Sequence, residues 1–110
     1  MQNAQESCDA RPDEQKPVCM IVDITVIDRE LYEQYIERVP QTVREFGGRY
    51  YARGGKVVTL AGEWRPERII MVEFPSMQML EKWFHSPQYR QIAPLREKST
   101  ISRVIVVELF

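Results

Sequence analysis

A few side chains in three short stretches have the types needed for acid–base and anion-orienting chemistry. "RYYAR" supplies Arg49, Tyr51 and Arg53 at alternate positions, "VCMIVDITV" supplies Asp23, and "RIIMVEF" supplies Glu73. A carboxylate in a dry site has its pKa raised and can move a proton near neutral pH. An arginine beside it can orient an organic anion. Asp23 and Glu73 are therefore catalytic candidates, with Tyr35 as a third, because a phenol next to a carboxylate suits acid–base work. Arg49, Tyr51 and Arg53 are ligand-binding candidates. The two arginines are four residues apart, about 13 Å at roughly 3.3 Å per residue. Within one chain they cannot clamp one carboxylate, so each meets its own partner or they bracket a ligand. A structural reading stands beside this one: two acids balanced against two arginines as ion pairs at an interface.

Other candidates divide the same way. Glu63 and Arg68 flank the "WRP" turn, as a rim contact for a ligand or as a surface ion pair of little energy. His85, the single histidine, can change charge near neutral pH and shuttle a proton. Its place between Trp83-Phe84 and Ser86-Pro87 favours a surface or capping role. Trp64, Trp83, Tyr32 and Tyr89 line a pocket or, as aromatics at helical spacing more often do, fill the core. No metal site is expected, because one histidine and two scattered cysteines, Cys8 and Cys19, give no ligand spacing. The glycine pairs match neither phosphate-binding loop pattern. No cofactor is expected.

Composition narrows the classes. One domain of 110 residues with 44% hydrophobic residues can build a core. Fifteen basic residues against sixteen acidic give a formal charge of −1, which is no footprint for nucleic acid. Apolar runs are far short of the roughly 20 residues that span a bilayer. No apolar leader is visible, and two cysteines without a framework fit free thiols, so the expected location is cytoplasmic. Residues 1–17 are polar and carry two prolines, which suggests a flexible tail.

The elements that must position the candidates follow from periodicity. Val18, Met20, Val22, Ile24 and Val26 alternate with Cys19, Ile21, Asp23 and Thr25, which predicts a strand. Asp28 suits an N-cap. Leu31, Tyr35, Val39, Val43 and Phe46, with Ile36, then mark a helix that Pro40 should kink or restart and Gly47 should end. "GRYYAR" is a second strand. Gly54-Gly55 is either a tight turn or, as preferred here, a bulge in a long strand that continues through "KVVTLAG". "RIIMVEF" is the next strand. Ser76 and Ser86-Pro87 start two helical stretches carrying Met77, Leu80, Trp83 and Phe84, then Tyr89, Ile92 and Leu95. "RVIVVELF" closes the chain.

This order predicts an α+β, ferredoxin-like βαββαβ fold over residues 18–110: a four-stranded antiparallel sheet with two helices on one face. The other face carries Cys19, Ile21, Tyr51, Ile69 and Met71, too apolar for water, and a second copy of the sheet is the simplest cover. By strand parity, Tyr50 and Ala52 face the helices. Arg49, Tyr51 and Arg53 then join Asp23 and Glu73 in one concave space between the paired sheets.

Three motifs in order, "FGGRYYARGG", "GEWRPERIIMVEFPS" and "WFHSPQY", resemble the domain of unknown function 1330 family (DUF1330) of the dimeric α+β barrel superfamily. The resemblance runs from about Val18 to Phe110. It implies a ferredoxin-like fold paired face to face as a homodimer. The superfamily also holds cofactor-free monooxygenases, muconolactone-type isomerases and haem proteins, of which haem binding through His85 is not favoured. The resemblance also modestly supports the rim reading of Glu63 and Arg68. The functional expectation is a pocket for a small acidic or aromatic molecule, with oxygenation, isomerisation or cyclisation as chemistry. The alternative is a non-catalytic homodimeric binding or structural module.

Overall fold

The computed structural model describes residues 16–110. The expected tail, with Cys8, lies outside them apart from Lys16 and Pro17. Those two run beside the last strand: the Leu109 N–H donates to the Pro17 carbonyl at 3.0 Å, and Lys16 Nζ lies 3.6 Å from Glu108.

Among the described residues, four strands and three helices follow in the order β1 (Val18–Val26), α1 (Arg29–Glu45), β2 (Arg49–Arg53), β3 (Arg68–Phe74), α2 (Met77–Phe84), α3 (Pro87–Ser99) and β4 (Thr100–Glu108). The strands form one antiparallel sheet in the order β2-β3-β1-β4, so the ferredoxin-like expectation holds. The second helical layer is broken in two where Ser86 caps α3 and Pro87 opens it. Proline at the first helical position loses no hydrogen bond, because that N–H has no helical acceptor anyway.

The core sits between the helices and one face of the sheet. Val18, Met20, Val22 and Ile24 from β1 and Val72 and Phe74 from β3 are buried there against Tyr35, Val39, Val43, Leu80, Trp83, Tyr89 and Ile92. The helical stripe differs in one position from the expected one: Tyr32, not Leu31, is buried. Asp28 caps α1 by accepting from the Leu31 N–H at 3.2 Å. At its other end the Gly48 N–H reaches the Val43 carbonyl and the Gly47 N–H that of Arg44. Gly47 sits at φ +81°, the left-handed stop that an L side chain would strain.

Three expectations are corrected. First, α1 runs through Pro40 without a break. Proline removes the N–H that would meet the Ile36 carbonyl four residues earlier, and the Arg53 guanidinium donates to that carbonyl instead, at 2.8 Å. Second, the bulge is at Tyr51, where the β2–β3 register shifts between Tyr50 and Ala52. Third, the strand ends at Arg53, and "KVVTLAG" belongs to an irregular segment without strand pairing.

Candidate functional site

The bulge decides which side chains meet. Arg49 pairs with Glu73 and Tyr50 with Val72, but Ala52 pairs with Met71 and Arg53 with Ile70. One extra residue in β2 reverses the alternation beyond it. Arg53 therefore sits on the helix side with Ile70, away from the face expected to carry it together with Asp23, Glu73, Arg49 and Tyr51. Arg68, paired with Ile24, is on the helix side too.

Two polar clusters remain on the open face, about 13 Å apart, since Asp23 and Glu73 stand opposite Ile69 and Cys19, four residues apart along β1. In one, Tyr51 donates to the Glu73 carboxylate and accepts from Arg49 Nη2 at 3.1 Å, with Arg49 and Glu73 3.7 Å apart. In the other, Asp23 Oδ2 accepts from Trp64 Nε1 at 2.9 Å and from Arg103 Nη2 at 2.7 Å. These bonds, Trp64's first and then Arg103's, hold the Asp23 carboxyl below its ordinary value, opposite to the raised pKa a general base needs. Glu63 lies beside this cluster in an open hollow with Ile21 and Ile105. It forms no ion pair with Arg68 among the described residues. Cys19, buried beneath this face, has its thiol pushed up by burial and by Glu73.

Asp23 links this face to pH. Its pKa is lower folded than unfolded, so its stabilisation is complete above the unfolded value of about 3.9. It is lost as pH falls through that value toward the folded one. Asp23→Asn should therefore lower the urea midpoint at pH 7, by an amount that shrinks as pH is taken below about 3.9.

A deeper, partly open site lies on the other side of the sheet. A cavity of about 350 Å3 opens between α1, α3 and the helix-facing side of β1, β2 and β3, at the lower end of the range for small-molecule sites. Its walls are mostly apolar, with a polar wall formed by Tyr35 on α1 and Tyr89 and Arg96 on α3. Tyr35 and Tyr89, 7% and 1% exposed, place their hydroxyls 3.0 Å apart. Arg96 Nε donates to the Tyr89 hydroxyl at 3.1 Å, and Arg96 Nη1 to Ser102 Oγ at 2.8 Å. Burial pulls the Arg96 pKa down, but charge and hydrogen bonding with Tyr89 outweigh it, and the net shift is upward. Burial, and then Tyr89, hold the Tyr35 phenol well above its ordinary value, so at neutral pH Tyr35 is a proton donor and not a base.

The hydrogen-bond inventory of this wall leaves one donor over. Arginine only donates, so Arg96 supplies no acceptor. The two phenols carry two protons and make one bond between them. One O–H of the pair consequently has no protein acceptor among the described residues, and it lies at the cavity wall.

At the β2 end of the cavity stand Arg53 and Arg68. Arg53 stacks on Tyr50 at 5.1 Å and Arg68 on Tyr32 at 5.4 Å. Burial raises both phenols above their ordinary values, Tyr50 to about 12. Gly54, at φ +89°, gives Arg68 its room: a Cβ there would collide with Nη1 of Arg68.

His85 ends α2, exposed, with its backbone N–H on the Glu81 carbonyl and its ring edge-on to Phe84. It is not part of the cavity wall. Trp64 covers Asp23, whereas Trp83, Tyr32 and Tyr89 are both core and cavity wall. Among the described residues no group of three or more His, Cys, Asp or Glu is gathered to hold a metal ion. No helix among them is long and apolar enough to cross a membrane. Sequence reasoning missed Arg96 and the place of Arg53 and Arg68 on the same cavity wall. The first had a signal: Tyr89 and Arg96, seven residues apart, share a helix face.

The chain is similar in structure to several solved proteins. A protein of unknown function from Rhodopseudomonas palustris superposes with a TM-score of 0.77 at 19% identity, covering 89% of this chain and 85% of that one. A cofactor-independent oxygenase from Streptomyces nogalater gives 0.58 at 13%, covering 83% and 90%. An Arabidopsis thaliana protein gives 0.59 at 16%, covering 87% and 88%. At these identities the likeness is one of fold. No protein of the curated set matches significantly. The model of the domain of unknown function DUF1330 matches residues 17–110, nearly all of the described fold, and the chain belongs to that family.

Proposed function

We propose that this protein binds a small organic molecule in the cavity between α1, α3 and the sheet, and that it acts on that molecule without a cofactor, as an oxygenase, isomerase or cyclase. The observation that carries this reading is the Tyr35–Tyr89 pair, with its uncommitted O–H in a dry wall and Arg96 behind it. Reactions of these classes put negative charge on a substrate oxygen, as enolates or phenolates do. A fixed donor aimed at that charge lowers the barrier because it needs no reorganisation. Arg96 polarises Tyr89 and through it Tyr35. The protonated state of Tyr35 suits the donor role. No carboxylate or histidine lines the cavity among the described residues, so the proton lost from the substrate's acidic position passes to water at the open end of the cavity. The fold shared with the Streptomyces oxygenase supports the reaction class. Of the residues singled out in the sequence, Tyr35, Arg53 and Arg68 line this cavity together with Tyr32, Trp83 and Tyr89, while Asp23, Glu73, Arg49, Tyr51 and Glu63 lie on the open face.

The reading includes a homodimer paired through that open face, where Ile101, Ile105 and Val107 are exposed beside Tyr51 and Trp64. A second reading, a non-catalytic homodimeric module, is favoured by the pairing of both acids on that face, Asp23 with Arg103 and Glu73 with Tyr51 and Arg49. Titrating the 15N-labelled chain with a library of aromatic fragments separates the two. Amide shifts clustered around Tyr35, Tyr89 and Val39 are expected. Shifts confined to Asp23, Trp64 and Arg103, or none, contradict the ligand site.

A further inference from the structure

We infer that the cavity takes an organic anion, an apolar or aromatic carboxylic acid whose carboxylate is received jointly by Arg53 and Arg68. The inference rests on the reading of the cavity as a ligand site and specifies what that site accepts.

Charge is the first ground. Among the described residues, three arginines line the cavity and no aspartate or glutamate does, in a chain whose charges otherwise nearly cancel. Arg96 is occupied by Tyr89 and Ser102 and lies 4.0 Å from Glu97. Arg53 and Arg68 have no carboxylate within 4 Å among the described residues. Glu67, next to Arg68 in sequence, acts on the Tyr32 phenol only through space. Arg53 is exposed and Arg68 half-buried, so water solvates part of their charge, and an anion at this end of the mostly apolar cavity would pair with both.

Geometry is the second. Arg53 stands opposite Ile70, and Arg68 is two residues from Ile70 on the same face. Diagonal neighbours of this kind are about 7–8 Å apart, within reach of one carboxylate for two long side chains. Arg68 lies over the Tyr32 ring and Arg53 over the Tyr50 ring, and both guanidinium charges act on the Tyr32 phenol.

Restraint is the third. Arg53 is held by the Ile36 carbonyl that Pro40 leaves free and by the Tyr50 ring. Arg68 is held by the Tyr32 ring and the gap at Gly54. Side chains held before binding lose little freedom when the ligand arrives. Arg68 Nε is buried and has no acceptor among the described residues. A carboxylate accepts two parallel N–H bonds from a guanidinium, and Nε is one of the donors such a fork can use.

The test uses a matched pair of probes, 4-hydroxybenzoate and 4-hydroxybenzamide, which differ in the charged group. Calorimetry on the full chain should give at least about tenfold tighter binding of the acid. Arg68→Met should remove that preference by weakening the acid about tenfold or more and leaving the amide unchanged. Arg68→Lys, which keeps the charge and loses the fork, should fall between. Arg49→Met, on the opposite face, should change neither affinity. Thermal unfolding of each variant confirms that it is folded. Equal affinity for acid and amide, or an acid affinity indifferent to Arg68, overturns the anion assignment and leaves the ligand site standing. Failure of both probes to bind overturns the assignment together with the site.

Discussion

Trp83→Ala should destabilise the protein by about 3–5 kcal/mol, the usual cost of truncating a buried tryptophan. Trp83 is 2% exposed and is the hub of the aromatic cluster that joins α2 and α3 to the sheet. Its ring lies 4.2 Å from Tyr89, 5.4 Å from Phe74 and 6.1 Å from Phe84, centroid to centroid. Its indole N–H donates to Thr42 Oγ1 at 2.9 Å, and the Thr42 hydroxyl donates in turn to the Val39 carbonyl at 2.8 Å. Alanine therefore opens a void and takes the donor from a buried hydroxyl. Trp83→Phe keeps most of the ring and should cost less, about 1–3 kcal/mol for the unsatisfied oxygen and imperfect filling. Urea midpoints at unchanged m-value measure both. The void adjoins the cavity, so Trp83→Ala should also enlarge the site.

Tyr89→Phe should cost more stability than Tyr35→Phe, although each removes one hydroxyl from the same hydrogen bond. Tyr89 stands in the middle of the chain Arg96–Tyr89–Tyr35. Without its oxygen, Arg96 Nε loses an acceptor and the Tyr35 hydroxyl loses its only protein partner among the described residues. A hydrogen bond to a charged group is worth about 1.5–3 kcal/mol, and that is the expected loss. Tyr35→Phe leaves the Arg96–Tyr89 bond in place and removes a neutral one, an expected loss of about 0.5–1.5 kcal/mol. Paired chemical denaturation of the two variants gives the order. The reverse order would mean that Arg96 does not depend on Tyr89.

Much of the fold could be read from the sequence because its signals are local and agree with one another. The alternation from Val18 to Val26 named a strand and its inner face. Asp28, Ser76 and Ser86-Pro87 marked three helix starts, and each side chain caps the helix it precedes. The site was harder to read because it turns on one residue of register. Nothing in "RYYAR" announces that Tyr51 is a bulge. The bulge arises from how β2 seats against β3, which is a tertiary matter, and it carries Arg53 through the sheet plane to the other face. Strand parity, right for Arg49 and Glu73, therefore failed four residues on. Pro40 shows a related limit. Its missing N–H predicted a break in α1, whereas a guanidinium from another strand supplies the Ile36 carbonyl. Arg68, read as half of a surface pair with Glu63, faces inward because the turn before β3 brings it opposite Ile24. In each case a side chain distant in sequence settles what the local pattern leaves open.

The central claim is that the helix-side cavity, and not the open sheet face, holds the ligand. A high-resolution crystal structure of the full chain grown with 4-hydroxybenzoate tests it most directly. Density for the probe is expected between α1, α3 and the sheet, with its carboxylate on Arg53 and Arg68 and its other end toward the Tyr35–Tyr89 hydroxyls. A probe seated instead among Asp23, Trp64 and Arg103, or a cavity closed by collapsed side chains, would contradict it.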